Sequence, residues 1–86
     1  MEINKLIEVV KEKITKEIIL EKIDVEDKSF LHKGHKNHSP NKFHIKIIIM
    51  SNELKSKKKI ETTKRIYKIL ENELKNYIHS IQLSIN

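Results

Sequence analysis

The chain has 86 residues, with 18 Lys or Arg against 12 Asp or Glu, giving a formal net charge of +6 and a pI near 9.6. This length makes one domain with a small core, and 37% apolar with 35% charged residues suits a folded two-layer chain better than a disordered one. The absence of cysteine excludes disulfides, a thiolate nucleophile and a self-contained cysteine-ligated cluster, so any metal must use His, Asp or Glu or borrow ligands from a partner.

Ile3, Leu6, Ile7, Val10 and Ile14 recur at helical spacing, and Lys5, Glu8, Lys11 and Glu12 fill the other side. Residues 2–15 are therefore predicted to form an amphipathic helix. Residues 17–26 are rich in Ile, Leu and Val and read as a strand. Both parities carry apolar side chains, with Ile18 and Leu20 on one and Ile19, Ile23 and Val25 on the other. That pattern implies burial on both faces or a bulge near Glu21. Residues 27–41 hold the only Gly and the only Pro, with Ser, Asn, Lys and three His. They read as a loop, long for a hairpin connection.

Residues 42–50 give the clearest strand. Phe43, Ile45, Ile47 and Ile49 share one face, and His44 and Lys46 the other. Ser51 to Ser56 reads as a turn with a short helical piece. Residues 57–76 are predicted as a second helix, with Ile60, Tyr67, Leu70, Leu74 and Tyr77 as its apolar stripe, widened by Ile66 and Ile69. Residues 78–85 return to alternation, with Ile81, Leu83 and Ile85 on one face.

The order α-β-β-α-β predicts an α/β (α+β) fold in a single domain, residues 1–86. Consecutive strands pair antiparallel, and a helical crossover favours a parallel pair. The expected result is a three-stranded mixed sheet with helices packed on one face. No apolar run approaches the ~20 residues that span a bilayer, so no membrane segment is expected. Glu2, Glu8 and Glu12 argue against a transit peptide.

Four segments carry a resemblance. Asp27-Lys28-Ser29-Phe30-Leu31-His32-Lys33-Gly34-His35 resembles the D-x-S-x-x-H-x-G-H loop of BolA-like proteins. His44-Ile45, with Ser51 after the strand, resembles that family's H-F strand ending in Ser. Ile66-Tyr67, Leu70 and Glu73-Leu74 resemble its second long helix, and Ile78-His79-Ser80-Ile81 its closing V-H-A-L strand. The departures are Leu54-Lys55-Ser56 in place of Phe-x-Gly and Thr62-Thr63-Lys64 in place of Arg-His-Arg on the helix. The resemblance covers roughly residue 17 to the end. It implies a class II KH-like fold and a partnership with a monothiol glutaredoxin. It also implies a shared 2Fe-2S cluster, with histidines from this chain and thiolates from the glutaredoxin.

Iron in such a cluster accepts imidazole as well as thiolate. His79 stands at the start of the last strand with the parity of Ile81, Leu83 and Ile85, so it is expected on the buried-face register. Gly34 gives the loop freedom to bring His35 towards it. The candidate ligands are His35 and His79, with His32 as the loop alternative. The second ring nitrogen of a ligand needs an acceptor, which the sequence does not identify. His44, on the parity opposite Ile45, reads as a surface or helix-facing residue with a structural role.

The alternative reading is a KH-like nucleic-acid-binding transcriptional regulator. Lys57, Lys58, Lys59, Lys64 and Arg65 cluster at the start of the second helix, where lysines release counterions from phosphate. The KH module's GXXG clamp is absent, since the only glycine is Gly34. Catalysis is not expected. There is no glycine-rich phosphate loop, and Asp24, Glu26 and Asp27 form no defined acid–base couple. The expected role is in iron–sulfur cluster assembly, trafficking or iron homeostasis. The free form is expected to be a monomer without a cofactor of its own. The expected compartment is the cytoplasm, or an organelle such as the mitochondrion if a presequence was removed.

Overall fold

The computed structural model describes residues 1–29 and 42–86. Its elements run α1 (Ile3–Glu17), β1 (Lys22–Asp27), β2 (Phe43–Met50), α2 (Asn52–Lys55), α3 (Lys59–Ile69), α4 (Glu71–Asn76) and β3 (Ile78–Ile85).

The first helix forms as its spacing predicts. Leu6, Val10 and Ile14, four residues apart, make the buried stripe. The Glu2 carboxylate accepts from the Asn4 amide at the N-terminus, and Ile18 turns to extended backbone at the other end. The mixed parity of residues 17–26 has a simple cause. Ile18 to Glu21 connect helix to strand, with Ile18 in the core and Ile19 exposed. Only from Lys22 does the chain enter the sheet, where β1 alternates.

The sheet has three strands in the order β1-β2-β3. β1 pairs antiparallel with β2, placing Val25 opposite Ile47. β2 pairs parallel with β3, placing Ile45 opposite Ile81 and Ile47 opposite Leu83. The expected mixed sheet with helices on one face is the observed fold. Ile45, Ile47 and Ile49 of the central strand meet Leu6, Val10 and Ile14 of α1 and Ile66 of α3 in one core. Each such side chain contributes roughly 1.5–3 kcal/mol by leaving water.

The predicted second helix differs in continuity and in phase. It is two helices, α3 and α4, broken where Leu70 leaves helical geometry at φ −99° and ψ 18°. Its buried positions are Thr62, Ile66, Leu70 and Glu73. Ile60 is 64% exposed and Tyr67 is also exposed, so both stand outside the core. Of the predicted stripe, Ile66 and Leu70 are in the core and Ile69, Leu74 and Tyr77 pack against it, while two further core-facing positions, Thr62 and Glu73, are polar and gave no apolar signal. One of them, Glu73, is held by Lys13 of α1, whose Nζ donates to Oε1 and Oε2 at 2.9 and 2.8 Å.

Ser51 closes the fold at the far end of β2. Its Oγ donates to Ile19 O at 2.8 Å and accepts from the Leu54 amide at 3.2 Å, capping α2. Its own amide donates to Asn86 O at 3.1 Å. One hydroxyl thus ties the β1 approach to α2, and the same residue's backbone holds the end of β3.

Candidate histidine site where two parallel strands begin

β2 and β3 run parallel, so their first residues lie side by side. The Phe43 amide donates to Tyr77 O at 2.9 Å. Phe43 then opposes Ile78, but His44 opposes Ser80, and the register slips between Phe43 and His44. His79 is therefore an extra residue on β3 with no partner across the ladder, which is a β-bulge.

The bulge corrects the expectation for His79. Regular alternation from Ile81 would put its side chain on the core side. Instead Ile78 takes the buried position, at 1% exposure, and His79 is exposed. Regular alternation resumes with Ile81. The inserted residue turns an imidazole from the core edge into solvent and leaves it on a strand end fixed by the ladder.

His44 lies on the helix-free face, and it is not a surface residue. It is only 6% exposed. Its Nδ1 lies 2.6 Å from Ser80 Oγ, directly across the ladder. Its amide donates to Ser29 Oγ at 3.1 Å, and its carbonyl accepts from the Lys28 amide at 2.7 Å. The Ser29 amide in turn donates to Asp27 Oδ1 at 2.9 Å, a local turn that starts the connection. The His44 and His79 rings are 4.7 Å apart between centroids, with planes tilted by 42°. The structure thus pairs His79 with a histidine that sequence reasoning set aside as structural. The available signal was the H-I pair at the start of β2, facing H-S at the start of β3, once the strands are known to be parallel.

His32, Gly34 and His35 lie outside the described residues, so the loop half of the expected ligand set has no structural account. Among the described residues, no group of three or more His, Asp or Glu side chains is arranged to hold a metal ion. His44 and His79 by themselves make an incomplete ligand set. An exposed imidazole beside a buried one fits a role as one or two nitrogen ligands to iron whose other ligands come from elsewhere.

The basic residues of the alternative reading lie just before and along α3. Lys57, Lys58, Lys59, Lys64 and Arg65 are all exposed. Arg65 has structural work as well, since its Nη2 donates to Glu17 O at the end of α1 and its Nη1 lies 3.9 Å from Glu53 Oε1. Lys13, Lys16, Arg65 and Lys68, with Glu17 and Ile69, line a shallow cleft of about 540 Å³ between α1 and α3.

One carboxyl has a displaced pKa. Burial raises that of Glu73, but its hydrogen bonds with Lys13, Asn72 and its own backbone, together with the Lys13 charge, outweigh burial and hold it below the ordinary 4.5.

Residues 14–86 match the model of the family described as BolA-like protein. The chain belongs to the BolA-like family. It is 32% identical over 78 residues to a Haemophilus influenzae protein named DNA-binding transcriptional regulator BolA, covering 91% of this chain and 73% of that one. Its fold is similar to that of the BolA domain of SufE1 from Arabidopsis thaliana, with TM-score 0.78 and 27% identity over 94% of this chain and 90% of that one. It is also similar to that of BolA1 from the same plant, with TM-score 0.75 and 20% identity over 92% of this chain and 87% of that one.

Proposed function

We propose that this BolA-like chain supplies imidazole to a 2Fe-2S cluster that it shares with a monothiol glutaredoxin. The observation that carries the reading is the bulge at His79, which presents an exposed imidazole on a rigid strand end beside the buried imidazole of His44. A chain without cysteine brings no thiolate, so the sulfur ligands come from the partner. When bound, the cluster supplies iron that accepts imidazole, and histidine ligation raises its potential relative to all-thiolate ligation. His79 is the ligand on the fixed strand. The second, from the segment after Ser29, is His35, with His32 as the alternative. The role is non-catalytic, in cluster assembly, trafficking or iron homeostasis.

The test is to mix the chain with cluster-loaded monothiol glutaredoxin and record visible absorption and circular dichroism. The spectrum is expected to change on mixing, and His79→Ala is expected to remove the change. An unchanged spectrum with the unsubstituted chain sinks the proposal.

A second reading is supported by the exposed run Lys57, Lys58 and Lys59, with Lys64 nearby, and by the name of the Haemophilus influenzae relative. In it the basic start of α3 binds phosphate backbone, and affinity falls steeply with salt. Strong salt-dependent oligonucleotide binding without any glutaredoxin response would favour this reading over the first.

A further inference from the structure

β3 is an outer strand of the sheet, and Ile78–Ile85 contain no Lys, Arg, Asp, Glu or Pro. Edge strands are usually protected from pairing by those residue types. β1, the other outer strand, has them in Lys22, Asp24, Glu26 and Asp27. The bulge at His79 protects only the first turn of the β3 edge; from Ile81 onward the strand is regular.

The direction of its backbone groups follows from the last ladder contacts. The Asn86 amide donates to Ile49 O at 2.8 Å, and its carbonyl accepts from Ser51 N at 3.1 Å. Asn86 therefore turns its backbone towards β2. In a parallel ladder alternate residues turn the same way, so Ser84 and Gln82 also face β2. Ile81, Leu83 and Ile85 direct their N–H and C=O groups outward, to the open edge.

The same three side chains are only half-buried. Ile81 and Leu83 form the floor of a groove of about 450 Å³ between β3 and α3, with Thr63 and Tyr67 on its wall. An adjoining cleft of about 330 Å³ continues past Leu83 to Ile85. Lys46 and Lys59 rim the first, and Lys55, Lys57 and Lys59 the second. Neither lining includes Asp or Glu. Among the described residues, an open strand edge, an apolar floor and a rim of one charge sign thus coincide.

We propose that this edge receives an extended acidic segment of a partner protein, which adds to β3 as a further strand. Main-chain hydrogen bonds to Ile81, Leu83 and Ile85 hold it, alternate apolar side chains enter the groove, and its carboxylates meet the lysine rim. A second copy of this chain is disfavoured, because it would bring the same lysines and its own +6 charge to the edge. A nucleic-acid strand would satisfy the lysines but lacks donors and acceptors alternating at strand spacing. This surface lies beyond His79 on the same strand and does not depend on the cluster reading.

The full chain, labelled with ¹⁵N, is titrated with a capped decapeptide of alternating Val and Glu, and separately with its Val-Lys counterpart. The Val-Glu peptide is expected to bind saturably and to slow exchange of the Ile81, Leu83 and Ile85 amides by at least about fivefold. Binding is expected to weaken by about tenfold in the double variant Lys57→Glu/Lys59→Glu, whose sites are solvent-exposed. Leu83→Pro removes one outward donor while leaving the β2–β3 hydrogen bonds in place, and it is expected to weaken binding as well. Where Leu83→Pro fails to fold, the charge-reversal variant decides alone. Equal binding of the Val-Lys peptide overturns the proposal, as does an absence of protection at the three amides. So does protection that appears without peptide and grows with protein concentration, or tighter protection of the same amides by oligothymidylate.

Discussion

His44 and His79 come from different strands, one buried and one exposed, and their rings meet at a centroid separation of 4.7 Å. The contact exists because the bulge inserts His79 between Ile78 and Ser80. Ser80 then engages Nδ1 of His44 and fixes which way the buried ring presents itself.

Substitution should separate the two histidines. His79→Ala is expected to change folding stability by no more than about 0.5 kcal/mol, because the side chain is exposed, while removing the spectroscopic response to cluster-loaded glutaredoxin. His44→Leu removes the hydrogen bond to the exposed Ser80 and is expected to cost about 0.5–1.5 kcal/mol, with a partial loss of the response. Urea denaturation alongside the mixing experiment measures both. A destabilised His79→Ala would show that His79 serves the fold.

Glu73 makes stability depend on acid pH. Its side chain is 3% exposed, and its folded pKa lies below the ordinary value of 4.5. Between the two values the unfolded chain binds more protons than the folded one. The stabilisation is therefore fully present above about pH 4.5 and is lost as pH falls through the folded pKa. Denaturation midpoints taken across that range should fall with pH, and Glu73→Gln should flatten this part of the profile. Lys13→Met, at neutral pH, strips the buried carboxylate of its cation and is expected to cost about 1–3 kcal/mol.

The phase of α3 is testable by comparing two isoleucines. Ile66 is fully buried, and Ile66→Ala is expected to cost about 2–5 kcal/mol. Ile60 is exposed, and Ile60→Ala is expected to stay within about 0.5 kcal/mol. Thermal or urea melts of both variants decide it. Equal losses would restore the stripe that runs through Ile60 and Tyr67.

Any oligonucleotide affinity that this chain possesses should lose about one unit of salt slope for each phosphate-contacting lysine removed. Lys57→Ala, Lys58→Ala and Lys59→Ala, measured from low to moderate salt, give that slope. Arg65→Ala is a poor probe, because Arg65 also ties α3 to the end of α1.

The legible parts of the fold were those governed by local periodicity. The α1 stripe of Leu6, Val10 and Ile14 and the alternation of Ile45, Ile47 and Ile49 are visible as spacings, and both faces are buried as the spacings imply. The buried faces of α3 and α4 were hidden in part because Thr62 of α3 and Glu73 of α4 occupy core-facing positions. A polar residue signals solvent until its partner is known, and for Glu73 the partner is Lys13, sixty residues away. At the histidine site, the sequence nominated His79 but placed it on the wrong face and passed over His44.

By itself the sequence determined the α-β-β-α-β order, the antiparallel and parallel pairings, the helices on one face and a donor set without thiolate. Connection type and side-chain period dictate the first three, and composition the last. Only the tertiary structure decided that His79 points outward, that His44 is buried beside it and that, among the described residues, β3 is an outer strand beside an apolar groove. The reason is the pairing of Phe43 with Ile78 and of His44 with Ser80. That slip of one residue arises between segments far apart in the chain, and no local pattern on either strand records it.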